Sequence, residues 1–230
     1  MARARRARPT KLLPDPPDTP SRWDPAPATA EDEAVWDGIE AGADVEVPPH
    51  VADLDLRECR WTGADLSGRE LTGFRARDTR FEHCDLSGAV LGDAVLRRVT
   101  FTDCRLTGAS FAGARLDDVR ITDSSADLTG FRMAEGTYLL VENTSLHAAD
   151  FYSFTASGCA FLGCDLREAS FHEARLAGTR LHGSQLDDVR GAMSLAGTRI
   201  SPEQLVPVGA ALLGVLGIEI TDPDSGGPQP

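Results

Sequence analysis

Proline is missing from the middle of this chain. The sequence has 14 prolines, yet none lies from His50 to Ser201, and all of them fall in the first 49 residues or near the C-terminus. Proline lacks the backbone N–H that regular hydrogen-bonded structure needs. The gap therefore predicts continuous hydrogen-bonded backbone over 50–200 and a different kind of structure on either side.

Membrane and export signals are also missing. No apolar stretch approaches the roughly 20 residues of a membrane-spanning helix. The basic start, Met1 to Arg8, is followed by proline-rich sequence rather than by the apolar segment of a secretion signal. Lys11 is the only lysine among 23 basic residues, which is typical of a GC-rich genome. We expect a cytoplasmic protein from a bacterium, and specifically an actinobacterium.

Positive charge is scarce overall. The 23 basic residues stand against 36 acidic ones, so the formal charge is −13 and the pI about 4.7. A protein that coats nucleic acid needs a basic surface, so we do not expect direct DNA binding. At 41% hydrophobic residues, the chain can nevertheless bury a core.

The middle of the chain instead contains a repeat of five residues. Large apolar residues recur at every fifth position over most of 51–186, and a small residue precedes each by two positions. A helix would give a period of 3.6 and a strand a period of 2. A chain that turns a corner every five residues explains the pattern, with the large and small residues pointing inward. The exceptions at the large position are Ala76, Ala126, Gly136 and Ala156.

The repeat resembles a known family. The segments 64–68 (ADLSG) and 84–88 (CDLSG) are similar to the A(D/N)LXX unit of pentapeptide-repeat proteins. This resemblance covers most of 51–189, and the persistent register makes it specific. It implies an all-β fold, a right-handed quadrilateral β-helix of about seven coils with four pentapeptides per coil.

A spacing of 20 residues provides an internal test of that fold. Stacked coils should place matching residues in columns, and the column 111, 131, 151, 171 is phenylalanine throughout. Phe74 with Ala76, and Phe154 with Ala156, exchange the large and small positions and so retain the inward volume. A competing register containing Leu128 leads us to expect irregular geometry between 124 and 140.

The flanks differ from this core. Residues 1–49 are predicted to form a proline-rich, largely disordered and flexible arm, with a short helix over 30–41. Ser201 begins a helix with a capping box, and we assign 201–221 to a C-terminal cap helix with a short extension. Residues 222–230 are predicted to be a disordered tail. The helix supplies candidate residues for a cap or, less favoured, a homodimer interface: Leu205, Val208, Leu212, Leu213 and Leu216.

Residue patterns for catalysis are absent. All five cysteines occupy the inward small position, where a buried cysteine acts as a small hydrophobe. The histidines lack metal-ligand spacing, and there is neither a phosphate-binding glycine loop nor a nucleophile elbow. We therefore expect no enzyme, no cofactor and no metal site.

Charge placement points instead to interaction surfaces. In the proposed register, two adjacent faces carry an excess of arginine, while the corners carry mostly acids. Such segregation is typical of a docking surface, although solvated ion pairs would also explain it. The candidate contact residues are Arg57, Arg60, Arg75, Arg77, Arg80 and Arg97, with Leu140, Leu162 and Tyr152 as outward apolar residues.

Two functions remain open from the sequence. The first is a non-catalytic scaffold or protein–protein interaction module with an unknown protein partner. The second follows from the family resemblance: an acidic rod that mimics DNA and binds DNA gyrase, as the fluoroquinolone-resistance members do. The arginine-rich faces argue against the second function, and fold alone does not decide between them.

Overall fold

A computed structural model describes residues 13–219, which form a four-sided parallel β-solenoid. Its strands are short, and most have three residues because the chain turns a corner after each one. In chain order they are β1 (Asp24–Pro25), β2 (Val35–Asp37), β3 (Ile39–Ala41), β4 (His50–Ala52), β5 (Asp55–Arg57), β6 (Arg60–Thr62), β7 (Glu70–Thr72), β8 (Arg75–Arg77), β9 (Arg80–Glu82), β10 (Val95–Arg97), β11 (Thr100–Thr102), β12 (Arg115–Asp117), β13 (Arg120–Thr122), β14 (Glu135–Thr137), β15 (Leu140–Glu142), β16 (Thr155–Ser157) and β17 (Ala160–Leu162).

Two adjacent sides of the solenoid are continuous parallel sheets. The seven-stranded sheet has the order β2-β5-β8-β10-β12-β14-β16, so six turns of the chain separate its first strand from its last. The eight-stranded sheet has the order β1-β3-β6-β9-β11-β13-β15-β17. The other two sides consist mainly of isolated bridges, such as Asp65 to Asp85, and of the pair β4–β7. This is the right-handed quadrilateral β-helix that the resemblance to pentapeptide-repeat proteins implies.

Left-handed backbone at the corners explains the residue types found there. The corner residues have positive φ, for example 54° at Asp78 and 67° at Gly63. Glycine adopts this region freely, and aspartate and asparagine tolerate it better than most residues do. An aspartate in the preceding strand position can also accept a hydrogen bond inside the turn, as Asp65 Oδ1 does from Ser67 N at 2.9 Å.

Columns of buried side chains fill the interior. The rings of Phe111 and Phe131 stack with centroids 5.4 Å apart, and the stack continues through Phe151 and Phe171 at 5.0 and 5.2 Å. All four rings are buried. The 20-residue column that the sequence predicts is therefore confirmed, and it provides the layered packing that aromatic pairs favour.

The exceptions to the repeat have a packing reason. Phe74 and Phe154 lie at the small position, yet both are buried. A Cβ atom added to Gly136 would lie 2.8 Å from Phe154 Cζ, so the phenylalanine of the next coil occupies the space that a larger residue at 136 would need. The expected irregularity between 124 and 140 is wrong, because β13, β14 and β15 keep the regular register and Leu128 is 64% exposed.

The N-terminal region differs from the sequence-based expectation. Residues 35–37 and 39–41 form strands β2 and β3, so the helix predicted over 30–41 is wrong. The physical reason is packing, since Trp36 and Ala41 are buried and pair in register with Leu56 and Trp61 of the next coil. The disordered arm is a further correction for residues 13–23, which lie against the solenoid. Residues 1–12 fall outside the described part.

The C-terminal end is closed by helical structure. Two short 3-10 turns, Ala192–Leu195 and Pro202–Gln204, lead into helix α1, Leu205–Val215. Ser201 N donates to Gln204 Oε1 at 2.7 Å, and Gln204 Nε2 donates to the carbonyls of Leu181 and Ser184, both at 2.6 Å. These bonds satisfy carbonyls of the last coil, which is what a cap on an open solenoid end must do. The tail predicted over 222–230 lies outside the described residues.

Candidate docking surface

The six candidate arginines divide between the two sheets. Arg57, Arg75, Arg77 and Arg97 lie on the outer face of the seven-stranded sheet, and Arg60 and Arg80 lie on the eight-stranded sheet. These two sheets share a corner but do not share one outer surface. The sequence placed all six on neighbouring faces, and the structure brings only the first four together.

The four arginines on the seven-stranded sheet surround a shallow depression of about 450 Å³. We call it the arginine depression. Its lining includes Val95, which is partly exposed, and the buried Ala76, so the guanidinium groups border one exposed apolar side chain. The complete lining is Asp55, Arg57, Arg75, Ala76, Arg77, Val95 and Arg97.

Three of these arginines form a ladder along the solenoid. Arg57 pairs in register with Arg77, and Arg77 pairs with Arg97, on successive strands. The same column continues to Asp37 at one end and to Asp117 at the other. Like charges placed directly opposite each other on neighbouring strands are destabilising. The column thus concentrates positive charge over three coils and encloses it between two carboxylates.

Neighbouring carboxylates neutralise the depression only in part. Asp55 binds Arg57, with Nη2 and Oδ2 2.7 Å apart, and this hydrogen bond raises the pKa of Arg57. The contact of Arg77 Nε with Asp78 is longer, at 3.5 Å, and Asp78 is already engaged by another arginine. Within residues 13–219, no carboxylate lies within 4.0 Å of the Arg97 guanidinium.

That other arginine is Arg98, which holds Asp78 in a buried pair at the corner between the two sheets. Arg98 donates from Nε and Nη2 to the two oxygens of Asp78, each at 2.5 Å, and the Asp78 side chain is only 4% exposed. Burial alone would raise the pKa of Asp78, but the hydrogen bonds from Arg98 and from the Asp18 N–H outweigh burial and lower it. The Asp78 carboxylate is therefore already paired at this corner.

An N-terminal segment covers part of the eight-stranded sheet. Residues 13–23 run along the corner that it shares with the seven-stranded sheet: Asp18 N donates to Asp78 Oδ1 at 3.0 Å, and Trp23 Nε1 donates to Glu58 O at 3.1 Å. Pro17 is buried, and Pro16 and Pro17 line a cleft with residues of β9, β11 and β13. We call residues 13–23 the N-terminal strap.

The two candidate arginines on the eight-stranded sheet differ: Arg60 has partners, whereas Arg80 has no carboxylate within 4.0 Å among residues 13–219. Arg60 donates to Glu82 Oε2 at 2.8 Å from Nη2 and lies 3.5 Å from Glu40 Oε1, and its guanidinium lies 5.7 Å from the Trp23 ring centroid. Sequence reasoning missed the strap. The available signal was Trp23, a large aromatic side chain in a proline-rich segment that otherwise offers little to bury.

The outward apolar candidates do not form a patch. Leu140 is 3% exposed, which corrects the expectation that it lies outward, and its neighbour Ala160 on the next strand is also buried. Both lie between Arg120 and Arg180 in one strand-to-strand column, so longer side chains flank them. Leu162 and Tyr152 are half-buried, and Tyr152 lies on a different side of the solenoid, where Arg132 lies 4.5 Å from its ring centroid.

The helix residues divide between cap and surface. Val208 is buried, and Leu212 packs partly buried against the core, so both serve the cap. Leu213 is half-buried, whereas Leu205 and Leu216 are exposed at 68% and 63%. One side of the helix therefore remains apolar and uncovered.

The cysteines are buried free thiols in the small inward positions. Burial raises the pKa of the Cys59 and Cys159 thiols and raises that of Cys164 to about 11, so the reactive thiolate is disfavoured. Over residues 13–219, no group of three or more His, Cys, Asp or Glu side chains could hold a metal ion. In the same range, no helix is long and apolar enough to cross a membrane.

The geometry defines a class of protein: a parallel β-solenoid built from five-residue units, with a capped end and exposed sheet faces. Two family models match it, one described as a pentapeptide repeat region over residues 54–131 and one as pentapeptide repeats, in eight copies, over residues 144–189. The chain belongs to the pentapeptide-repeat family.

Two solved structures resemble the chain at low sequence identity. A trypsin-treated variant of QnrB1, a plasmid-mediated fluoroquinolone resistance protein, is 19% identical, with 85% of this chain and 98% of that chain covered and a TM-score of 0.42. HetL, a pentapeptide repeat protein involved in heterocyst differentiation regulation from Nostoc sp. strain PCC 7120, is 16% identical, with 78% and 86% covered and a TM-score of 0.32. No curated protein matches the sequence.

Proposed function

We propose that this chain is a non-catalytic protein-binding module and that the arginine depression is its docking surface. One observation carries the proposal: four arginines border one depression on an open sheet face, and their charge is only partly neutralised. Arginine is enriched at protein interfaces because its planar group forms paired hydrogen bonds and also packs against apolar surface.

The placement of the depression supports the same function. On the eight-stranded sheet, the N-terminal strap borders the corresponding cleft, and Arg60 is paired with two glutamates. The arginine depression has no covering segment among residues 13–219 and lies on regular sheet, which holds its side chains at fixed spacings. A rigid, uncovered and charged face loses little entropy when it binds a partner.

The test is affinity capture from a native bacterial lysate, followed by mass spectrometry. The full chain is compared with a Arg77→Glu/Arg97→Glu variant and with Arg175→Glu, a change on the same sheet side but several coils away. The proposal requires a protein that the wild type and the Arg175 variant retain and the double variant loses. Equal retention by all three would contradict it.

The alternative function is a DNA mimic that binds and inhibits DNA gyrase and so protects it from topoisomerase poisons. It is supported by the formal charge of −13. It requires a long acidic stripe, yet in the corner column that contains Asp103 and Asp123 the residues on either side are His83 and Asn143. The arginine depression would also repel a basic DNA-binding site. Retention of both gyrase subunits, with release by duplex DNA, would support this alternative.

A homodimer through the C-terminal helix is a further proposal that is compatible with either function. The uncovered apolar side of α1 includes Leu205 and Leu216, and apolar patches of this kind often mark interfaces. Light scattering after size-exclusion chromatography tests it. We expect a dimer that Leu205→Glu/Leu216→Glu converts to a monomer, with Val206→Thr as a milder control, and a wild-type monomer would exclude the dimer.

A further inference from the structure

We infer that the arginine depression receives a short acidic peptide segment in extended conformation, with two glutamates at positions i and i+2. This inference rests on the proposed docking function and names the chemistry of its partner. It follows from the charge, the length and the apolar lining of the depression, and each of these properties limits the kinds of ligand that fit.

The positive charge of the depression favours an anionic ligand. Arg57, Arg77 and Arg97 repel one another because they face each other on successive strands. Since Arg97 has no carboxylate within 4.0 Å among the described residues, a bound carboxylate would relieve this repulsion and gain a fork-to-fork hydrogen-bonded pair. Arg60 on the eight-stranded sheet already has two glutamates of the chain as partners, so a partner carboxylate has no equivalent role at that residue.

The length of the ladder limits the ligand. Three strands spaced about 4.8 Å apart give a column of about 10 Å. Residues i and i+2 of an extended peptide are about 7 Å apart, so two carboxylates fit within the column and a third begins to leave it. Beyond the ladder, Asp37 and Asp117 lie in the same column and repel further negative charge.

The same boundaries argue against a nucleic acid duplex. Duplex DNA carries about one negative charge per 1.7 Å along its axis, so it would extend well past the ladder onto Asp37 and Asp117. It would also approach a chain with a formal charge of −13. A short acidic segment avoids both costs, because its charge ends where the arginines end.

The apolar lining favours glutamate over aspartate. Val95 lines the depression beside the arginines and is 41% exposed, whereas the Ala76 side chain faces the interior. The two methylene groups of a glutamate can cover this surface while its carboxylate reaches an arginine. An aspartate at the same backbone position has one methylene group fewer for that contact.

The experiment measures fluorescence anisotropy of labelled peptides with the full-length chain. The probe is Gly-Ser-Glu-Ser-Glu-Ser-Gly, and its uncharged control replaces both glutamates with glutamine. We expect binding of the acidic probe only, weakened about fivefold to tenfold by Arg77→Gln or Arg97→Gln and by a rise in salt from about 0.05 to 0.3 M. Arg175→Gln is the matched control, because it removes the same charge from the same side outside the ladder, and it should change affinity less than twofold.

Two further probes test the limits of the site. A peptide with five alternating glutamates should bind no more than about twofold tighter than the probe, since Asp37 and Asp117 oppose the added charges. An aspartate version should bind more weakly than the glutamate version. A duplex of about 20 base pairs should not compete.

Three outcomes would overturn the inference. They are equal binding of the glutamine control, an affinity unaffected by Arg77→Gln and Arg97→Gln, or Arg97-dependent binding of the duplex at least as tight as that of the peptide. If the peptide fails but a lysate protein is still lost from the Arg77→Glu/Arg97→Glu variant, the docking function stands and the acidic ligand is wrong. If both fail, the docking function is wrong as well.

Discussion

The two continuous sheets of this solenoid share one register but treat their arginines differently. On the eight-stranded sheet, glutamates on neighbouring strands bind Arg60 and the N-terminal strap covers part of the surface. On the seven-stranded sheet, Arg57, Arg77 and Arg97 follow one another without an intervening acid. The difference between Arg60 and Arg97 shows that the same backbone register supports either a paired or an unpaired arginine, depending on a few outward residues.

The interiors beneath the two sheets differ as well. Under the eight-stranded sheet the inward column contains an aromatic stack, with Trp61, Phe81 and Phe101 in sequence. Under the seven-stranded sheet, the corresponding inward column includes Ala76 and Gly136. Phe74 and Phe154, at the small positions, fill the volume that these small residues leave. The two sheets therefore differ both in their buried columns and in their outward residues, and substitutions can change each difference separately.

The largest effect is expected from the aromatic stack. Phe101 is buried, and its ring lies 4.9 Å from that of Phe81. Phe101→Ala removes this contact and leaves a cavity, so we expect a loss of about 3–5 kcal/mol in the free energy of unfolding. Chemical denaturation measures the loss, and Val95→Ala, on the outside of the other sheet, should change stability by less than about 0.5 kcal/mol. Equal effects of the two changes would show that the inward register is wrong.

The buried pair at the shared corner should come next. Asp78→Asn leaves Arg98 without its carboxylate and weakens the attachment of the strap through Asp18 N. Breaking a fully buried pair costs about 3–5 kcal/mol, and we expect about 2–3 because the Arg98 side chain can regain some water. Asp85→Asn is the control, since its partner Arg105 is 71% exposed. Faster proteolysis within the strap of the Asp78 variant would show that the corner holds it.

Lowering the pH should remove the contribution of Asp78 to the free energy of unfolding. Its pKa is lowered in the folded state, so its contribution to stability is present above the unfolded value of about 3.9 and is lost as pH falls through the folded value. The difference in unfolding free energy between wild type and Asp78→Asn should therefore shrink below about pH 4. Asp65 and Asp165 also have lowered pKa values, so both proteins should still lose stability in acid. A difference that does not depend on pH would contradict the charged pair.

A smaller effect is expected inside the seven-stranded sheet. Gly136→Ala places a Cβ atom 2.8 Å from Phe154 Cζ and 3.2 Å from Cys159 Sγ, so overpacking should cost about 1–3 kcal/mol. Phe154→Leu removes the ring edge responsible for the clash. In the double variant, the cost of the alanine should fall, and a double-mutant cycle measures the coupling. Strictly additive losses would mean that the phenylalanine does not fill the space at Gly136.

The sequence predicts the repeating part of this molecule because the repeat is a local rule. Most inward residues, such as Phe131 and Val141, follow the period of five and are buried as expected. The N-terminal strap does not follow the repeat, because its Trp23 donates a hydrogen bond to the Glu58 carbonyl that no sequence period predicts. The sequence wrongly predicts a helix at Trp36, because its inward position becomes evident only from its pairing with Leu56 in the next coil.

The same limit applies to the candidate site. The sequence identified the arginines, since their outward positions follow from the register. It did not separate Arg60 from Arg97, because their difference depends on carboxylates 20 or more residues away that pair across coils. Ion pairing between coils is a property of side-chain placement, and the repeat constrains only the backbone and the inward residues.

The smallest expected effect has opposite signs on the two sheets. Arg60→Gln removes two ion pairs and the contact with Trp23, so it should lower the free energy of unfolding by about 0.5–1 kcal/mol. Arg97→Gln removes a like-charge neighbour of Arg77 and no ion pair with residues 13–219, so it should leave stability unchanged or raise it by about 0.2–0.5 kcal/mol at low salt. Denaturation of both variants at low and high salt measures the difference, which should narrow as salt screens both sets of charges. A loss of stability for Arg97→Gln equal to that for Arg60→Gln would mean that the open face is held together by its arginines, and such a face would not need a partner's carboxylates.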